Sequence, residues 1–380
     1  MLNLRFSGLT AMTEPWTQPP VALRHHQPMR LLILGGTWFV GRAIVETAHA
    51  DGHAVTIFNR GVTGIDLPPG VDVLHGMRED PEALHDLTAR GRWDVVIDAP
   101  GVIPAVVRDA ARALKSVADR YLFMSTVSVY NQWPAEPVSE TSALHHGDPD
   151  ARPESWRWGT GVYGPLKVGA EQAVMREFGA DRTVIIRPGA VVGRYEYSGR
   201  LPWWLSRAKR NGRMLVPGPA SGIIRPLDVR DLAAFVVRLI EHGTVGVFNA
   251  AGPPSTFADL ISASVAATGS NGKPIWVDGD WLVAQGVKQW TELPLWRTAA
   301  GTWSIDTTRA ESVGLACRSL TDTSMDTWAW LSAGGRPVAH DRQALHGLSP
   351  EREADLLAAW DKINDRQAEP SDPSESASQQ

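Results

Sequence analysis

The chain has 380 residues, a formal net charge of −5, 43% hydrophobic residues and 21% charged residues. This length can bury one large core or two modest ones, and the composition is typical of a globular protein. The small negative charge disfavours nucleic-acid and membrane-surface binders, and no apolar stretch approaches the roughly 18 residues of a membrane helix. A single cysteine, Cys317, excludes an intrachain disulfide and a cysteine-rich metal site. We therefore expect no metal and a reducing, cytoplasmic location.

The two ends of the chain are polar. Residues 1–28 contain four prolines and no apolar signal segment, so we interpret them as a flexible leader. Residues 366–380 are rich in Ser, Pro, Glu and Gln and are interpreted as a disordered tail. Between them we predict a dinucleotide-binding domain over 29–190 and a smaller, mostly helical substrate-binding cap over 191–365, interleaved with the last elements of the first domain.

From Arg30 onward, short apolar runs alternate with helical patterns. Strands are predicted at 30–35, 53–58, 71–76, 93–101, 119–130 and 182–189, and helices at 40–52, near Pro81, at 103–117 and at 162–178. Because the strands are continuous Val, Ile and Leu runs separated by helices, the pattern predicts an α/β fold with a Rossmann-type, doubly wound parallel sheet.

The stretch LLILGGTWFVGR at 31–42 places Gly35, Gly36 and Gly41 between the first strand and the first helix. Glycines at such a turn permit a tight bend and close helix packing, and the N–H groups of the helix N-terminus face a pyrophosphate. The turn predicts dinucleotide binding; the alternative is a glycine-rich turn without a ligand. Trp38 stands where a middle glycine is usual.

The end of the second strand bears on the choice of cofactor. An acid about 20 residues after the glycines would favour NAD(H), but this chain has Asn59 followed by Arg60. Without a carboxylate, a 2′-phosphate is not repelled, and a guanidinium can bind it. We therefore expect NADP(H) rather than NAD(H), with a solvated loop arginine as the alternative.

The segment YGPLK at 163–167 places Tyr163 and Lys167 one helical turn apart. A tyrosine with a pKa of about 10 is a poor base at neutral pH, and a nearby ammonium stabilises its phenolate. The upstream run FMSTVSVY ends a parallel strand, where substrates bind in such sheets. An exposed helix pair is the alternative interpretation.

These segments together resemble the extended and atypical short-chain dehydrogenase/reductases of the NAD-dependent epimerase/dehydratase group. One branch of that group carries GGTxFxG with a bulky residue where Trp38 stands. The resemblance implies that Thr126 hydrogen-bonds the substrate oxygen beside Ser128, that Tyr163 transfers the proton, and that Lys167 binds the nicotinamide ribose. It also implies a homodimer. The preceding paragraphs and the resemblance together assign the following residues to the cofactor site: Gly35, Thr37, Trp38, Phe39, Val40, Gly41, Asn59, Arg60, Ala99, Pro100, Tyr163, Lys167 and Pro188.

Two features depart from the sugar-nucleotide enzymes of this group. The segment between Thr126 and Tyr163 is long and carries His145 and His146, so it is either a lid over the pocket or a surface loop. Arg225 is a candidate contact for an anionic substrate group, but it does not fall on the arginine position that holds a diphosphate. The many tryptophans after Gly189 are interpreted as core packing, or else as an aromatic substrate pocket.

The leading functional hypothesis is a nicotinamide-dependent oxidoreductase that acts on a carbonyl or alcohol carbon of a small molecule. An epimerase or dehydratase that retains NAD on a sugar-like substrate is the first alternative. The second is a non-catalytic dinucleotide-binding regulator or RNA-associated protein. A sheet-based hydrolase would need a GxSxG nucleophile turn, which the chain lacks.

Overall fold

The computed structural model describes residues 27–64, 66–156, 161–340 and 346–368 of the chain. Its strands are β1 Arg30–Leu34, β2 Ala54–Asn59, β3 Asp72–His75, β4 Trp93–Asp98, β5 Ala118–Met124, β6 Thr183–Pro188, β7 Val191–Val192, β8 Arg213–Pro217, β9 Ile223–Ile224, β10 Leu227–Asp228, β11 Gly246–Ala250, β12 Ser255–Thr256 and β13 Lys273–Val277. Its helices are α1 Phe39–Ala50, α2 Pro81–Ala89, α3 Pro104–Leu114, α4 Tyr163–Phe178, α5 Arg200–Lys209, α6 Val229–Glu241, α7 Phe257–Thr268, α8 Gly279–Ala284, α9 Thr308–Ser312, α10 Leu320–Ser332 and α11 Pro350–Ala368.

Seven of these strands form one parallel sheet in the order β11-β6-β5-β4-β1-β2-β3. On one side of β1 the sheet continues with β2 and β3. On the other side it continues with β4, β5, β6 and β11. The order therefore reverses between β1 and β4, and ligands of open α/β sheets bind beside the carboxyl ends of the strands at such a reversal. The predicted α/β Rossmann-type fold is confirmed.

Each face of the sheet is covered by helices because successive strand side chains point to opposite sides. Leu31 and Ile33 face the layer that contains α1 and α6. Leu32 and Leu34 face the layer that contains α2, α3 and α4. All four side chains are essentially inaccessible to water, which explains why the strand is apolar throughout rather than alternating.

A second apolar core lies in the C-terminal part of the chain. It is centred on the fully buried Trp204 of α5, whose indole Nε1 donates to the Pro294 carbonyl at 2.8 Å. Helices α7 and α10 and the parallel pair β8–β13 pack around it. By contrast, α6 and β11 belong to the layers of the main sheet, although they also follow residue 190.

The observed element ends differ from the predicted ones by a few residues. The predicted segment 119–130, a fifth strand that runs into a Ser/Thr-rich turn, consists of β5 up to Met124 and a short 3₁₀ turn over Val127–Val129 that Thr126 begins. Helix α11 continues to Ala368, which lies inside the segment predicted as a tail. The predicted leader lies outside the described residues up to position 26, and so does the tail from 369.

Candidate active site

A cleft of about 1160 Å³ lies at the carboxyl ends of the sheet strands. Its walls come from the glycine turn, the ends of β2 and β4, the turn after β5, the start of α4, and two segments of the C-terminal part. Except for Arg225, every residue that the sequence analysis assigned to cofactor or substrate lines it: Gly35, Thr37, Trp38, Phe39, Val40, Gly41, Asn59, Arg60, Ala99, Pro100, Thr126, Ser128, Tyr163, Lys167 and Pro188.

The glycine turn has a backbone that other residues would strain. Gly35 and Gly36 have φ angles of +90° and +86°. A Cβ added to Gly36 would lie 2.8 Å from Ile57 Cγ2, and one added to Gly41 would lie 3.0 Å from the Gly36 nitrogen. The glycines therefore allow the left-handed backbone and the close packing of α1 that the sequence analysis expected.

Trp38 is the residue that precedes α1, and it provides no side-chain cap for the helix. The first N–H groups of α1 consequently border the cleft without a capping side chain, which is the arrangement that an anionic pyrophosphate fits. The indole packs against Tyr197 and His340, with ring centroids 5.9 Å and 5.6 Å away. The side chain that stands where a middle glycine is usual thus makes an aromatic contact with the C-terminal part.

Two arginines line the cofactor side of the cleft in different environments. Arg60 is exposed, and no ion pair to it is found within the part of the chain that the structure describes. Beside it, Asn59 Oδ1 accepts from the Gly61 nitrogen at 2.7 Å and shapes the loop. Arg78 instead makes a bidentate pair with Asp98, at 2.9 Å and 2.6 Å. Arg60 is therefore the cation that remains open to a ligand.

Asp98, at the end of β4, is fully buried and was not identified from the sequence. In addition to Arg78, it accepts from the Tyr121 hydroxyl at 2.8 Å and from the Gly101 nitrogen at 3.0 Å. Burial alone would raise the pKa of Asp98, but the charge of Arg78 and these hydrogen bonds outweigh it and lower the pKa. The carboxylate fixes the turn at Gly101 beside the proposed catalytic lysine.

Lys167 lies one turn into α4 and is buried. Its Nζ donates to the carbonyls of Gly101 and Met124 at 2.6 Å and 2.5 Å. Burial lowers the pKa of Lys167 to about 7, although the charges of Asp98 and Glu171 oppose this shift. The Nζ also lies 4.1 Å from the centroid of the Phe123 ring.

Tyr163 is the first residue of α4, and Pro165 falls in the first turn, where the missing N–H is tolerated. The phenol is half-buried and stacks on Trp156, with ring centroids 5.9 Å apart and planes 21° from parallel. A Cβ added to Gly164 would lie 2.2 Å from the Ser128 carbonyl oxygen. Glycine at this position lets the start of α4 approach the turn after β5.

The turn after β5 presents the hydroxyl groups that the sequence analysis singled out. Thr126 Oγ1 accepts from the Ser128 nitrogen at 3.2 Å and lies 3.3 Å from Ser128 Oγ. Ser125 is buried and points the other way, where its hydroxyl donates to Glu171. Thr126 and Ser128 therefore face the cleft, and Ser125 ties the strand end to α4.

A buried charge network lies beneath this turn. Its only local signal in the sequence is the spacing of Glu171 one turn after Lys167. Arg187 of β6 pairs with both Glu171 oxygens, at 3.0 Å and 2.6 Å. Its Nη1 donates to the Tyr130 hydroxyl at 3.1 Å, and that hydroxyl donates to Asn249 of β11 at 2.6 Å. The network connects α4 to three strand ends.

The side of the cleft beside Thr126 and Tyr163, which we call the substrate half, is aromatic and basic. It contains Trp133, His145 and Trp156 from the long segment before α4, and Trp290 and Arg297 from the C-terminal part. The segment thus contributes to the pocket wall, and one of the C-terminal tryptophans serves both core and cleft. Residues 157–160 of the WRWG stretch lie outside the described residues.

Arg225 lies away from the cleft, in a small pocket of about 390 Å³. Its guanidinium donates to the carbonyls of Gly252 and Ile305 and to the Thr307 hydroxyl. The structure therefore does not bring it together with Thr126 and Tyr163, and a role for it in binding substrate in this cleft has no geometric support.

The described ranges contain no group of three or more His, Cys, Asp and Glu side chains arranged to hold a metal ion. No helix in the same ranges is long and apolar enough to cross a membrane.

The model of the NAD dependent epimerase/dehydratase family matches residues 31–251. The chain is 27% identical over 291 residues to 2'-dehydrokanamycin reductase of Streptomyces kanamyceticus, covering 73% of this chain and 78% of that one. It is 26% identical over 260 residues to the chloroplast stem-loop binding protein of 41 kDa b of Arabidopsis thaliana, and the match spans 64% of each protein.

Among solved structures, the enzyme WbmG of Bordetella bronchiseptica in complex with NAD superposes with a TM-score of 0.61 at 19% identity, over 86% of this chain and all of that one. This likeness shows the fold. The family match covers more than half of the chain, from β1 to just beyond β11. It confirms the expected class of NAD(P)-dependent enzymes that act on small molecules, and the chain belongs to the NAD-dependent epimerase/dehydratase family.

Proposed function

We propose that the protein is a reductase or dehydrogenase that passes a hydride between NADP(H) and an oxygen-bearing carbon of a small organic substrate. The observation that carries this proposal is the meeting of three features in one cleft: the uncapped start of α1, the hydroxyl groups after β5, and the Tyr163–Lys167 pair. The first fits a dinucleotide pyrophosphate, and the other two fit proton transfer at a substrate oxygen.

The residues present fit a nicotinamide dinucleotide. The cleft has the volume, the left-handed glycine turn and the helix N-terminus that this ligand requires, and no acidic side chain occupies the first turn of α1. When bound, the dinucleotide supplies the hydride donor or acceptor. The chain binds and orients the two partners, and this positioning is the contribution expected of the protein.

Each chemical role falls to a different side chain. Thr126 donates a hydrogen bond to the substrate oxygen, and Tyr163 gives or takes the proton at the same oxygen. Lys167 is the nearby cation that stabilises negative charge on the phenolate. Its ammonium is held by the Gly101 and Met124 carbonyls, so its position is set before the substrate arrives.

We propose NADP(H) as the preferred cofactor. Arg60 supports this choice because it is exposed at the end of β2 and has no acidic neighbour at position 59. The alternative guanidinium, that of Arg78, is engaged by Asp98. A single exposed guanidinium can bind a 2′-phosphate through charge-assisted hydrogen bonds.

The RNA-associated alternative has less support in this chain. The similarity to a stem-loop binding protein covers 64% of this chain, but this chain has a net charge of −5. RNA binding at low specificity depends on a basic surface. The most buried cation of the cleft, Lys167, is inside the protein and not on a surface that a nucleic acid can reach.

Turnover tests the proposal. The full chain, freed of bound nucleotide, is incubated with NADPH and a panel of ring and open-chain ketones, and the loss of reduced nicotinamide is followed. We expect at least one ketone to be reduced, and Tyr163→Phe to lower kcat by about 10²- to 10⁴-fold. Tyr195→Phe is the matched control, since Tyr195 is a half-buried tyrosine that lies outside the cleft.

Equal rates for Tyr163→Phe and the wild type would contradict the proposed proton transfer. Interconversion of a substrate without net loss of NADPH would instead identify an epimerase or dehydratase, which recycles its cofactor.

A further inference from the structure

The ionisable side chains of the substrate half are basic. Arg297 and His145 line it, whereas Glu79 is the one carboxylate that lines the cleft within the described residues, and it lies beside Arg78 on the cofactor side. A polyamine or an amino sugar would meet no carboxylate there. The charge of the site therefore favours a substrate of the opposite sign.

Arg297 is held between two tryptophans. Its guanidinium carbon lies 4.5 Å from the centroid of Trp290 and 5.2 Å from that of Trp133. Trp133 is itself fixed, because its Nε1 donates to the Thr302 carbonyl at 3.2 Å. Both indoles are within cation–π distance of the guanidinium, and such contacts use none of its N–H donors.

No hydrogen bond or ion pair from Arg297 to another side chain or carbonyl is found in the ranges that the structure describes. Burial lowers the pKa of Arg297, and no acidic neighbour opposes this shift. A partly buried guanidinium with five N–H donors is normally paired.

Other arginines of this protein show what a structural role requires. Arg225 has three protein acceptors, and Arg200, which also lines the cleft, pairs with the buried Glu196 at 2.7 Å. Arg200 and Arg297 both lie over the Trp290 ring. Arg297 differs from Arg200 and Arg225 in that no acceptor for its guanidinium is found among the described residues. An oxygen atom of a bound ligand would supply the acceptor that the protein does not.

We propose that Arg297 binds an oxyanion of the substrate, so that the substrate is a carbonyl or alcohol compound that also carries a carboxylate or a phosphate. The inference deepens the proposed function and rests on it. Trp133 and Trp290 hold the guanidinium plane, and the planar fork pairs with two oxygens of one anionic group.

Binding of three small probes tests the inference without requiring turnover. Benzoate, phenyl phosphate and benzylamine share a ring and differ in the charged group, and benzamide is the neutral reference. Their dissociation constants are measured by ligand-observed NMR on the full chain, with and without saturating NADP⁺. The variants are Arg297→Gln and Arg297→Lys, and Arg92→Gln is the control because its side chain is 67% exposed and lies outside the cleft.

We expect at least one of the two anions to bind about tenfold or more tightly than benzylamine and benzamide. Arg297→Gln should abolish that preference, and Arg297→Lys should retain part of it because the charge remains. A preference for benzoate identifies a carboxylate as the source of the oxyanion, and a preference for phenyl phosphate identifies a phosphate ester.

Tighter binding of benzylamine, an unchanged anion affinity in Arg297→Gln, or no measurable binding of either anion would overturn the inference. These results are separate from those for the proposed function. Loss of NADPH turnover in Tyr163→Phe tests the chemistry. The probe affinities measured with NADP⁺ bound report on Arg297, because the dinucleotide then fills the other anion-binding part of the cleft.

Discussion

Replacing Lys167 by methionine should change the pH dependence of stability in a predictable way. The ammonium is buried, and its pKa is lowered from 10.5 to about 7. Between these two values the unfolded chain binds more protons at this lysine than the folded chain does. The free energy of unfolding therefore rises with pH across that window, and Lys167→Met removes the rise.

The size of the effect follows from the two pKa values. The lowered pKa reduces the free energy of unfolding by about 4–5 kcal/mol at pH 6 and by about 2 kcal/mol at pH 9. One unit of pKa corresponds to about 1.4 kcal/mol. The variant also loses hydrogen bonds to the Gly101 and Met124 carbonyls, each worth about 1–3 kcal/mol. The change between the two pH values follows from the folded and unfolded pKa values alone, and it amounts to about 2–3 kcal/mol.

Urea unfolding of the full chain at pH 6 and pH 9 measures this difference. Relative to Lys167→Met, the wild type should gain about 2–3 kcal/mol between the two pH values. Lys273→Met is the matched control, because Lys273 of β13 is exposed and its substitution should show no such change. If wild type and Lys167→Met run parallel from pH 6 to pH 9, the lysine keeps an ordinary pKa and the reasoning from its burial is wrong.

Three further substitutions and one control variant test the site and the network beneath it. Arg60→Gln should weaken NADPH binding about tenfold or more and leave NADH binding unchanged, because it removes only the proposed 2′-phosphate contact; calorimetric titration measures both. Trp38→Gly should speed NADPH release about tenfold in stopped-flow fluorescence, because two aromatic contacts with the C-terminal part are lost, each worth about 0.5–1.5 kcal/mol. Glu171→Gln should destabilise the fold by about 3–5 kcal/mol in urea, because it leaves Arg187 buried without a counter-charge. In the same helix, Glu177→Gln should cost about 1 kcal/mol or less, because the cations that pair with Glu177 are exposed.

The sheet could be predicted from the sequence because its signals are local. Strands such as β1 and β6 are continuous apolar runs, and the glycines of the first turn mark the link to α1. The spacing of Tyr163 and Lys167 likewise follows from one helical turn. These features depend on neighbours within a few residues, which a single sequence displays.

Other parts of the site depend on contacts between distant segments. Asp98 pairs with Arg78, which precedes it by 20 residues, and Arg297 lies between Trp133 and Trp290, which are far apart in the chain. Nothing in the local pattern distinguishes these side chains from surface residues. Only the fold brings them together.

Trp38 shows how a local rule can be replaced by a tertiary contact. The usual pattern has a middle glycine at this position, and the sequence has a tryptophan instead. In the structure the turn keeps its left-handed glycines at 35 and 36, and the indole points to Tyr197 and His340. Tyr197 and His340, which contact this indole, lie about 160 and 300 residues further along the chain. A local sequence pattern cannot show such contacts.

Calorimetric titration of the nucleotide-free full chain with NADPH and with NADH tests whether the cleft holds a nicotinamide dinucleotide. We expect one NADPH site per chain and weaker binding of NADH. Tighter binding of NADH would contradict the role of Arg60, and absence of binding by both would contradict the assignment of the cleft.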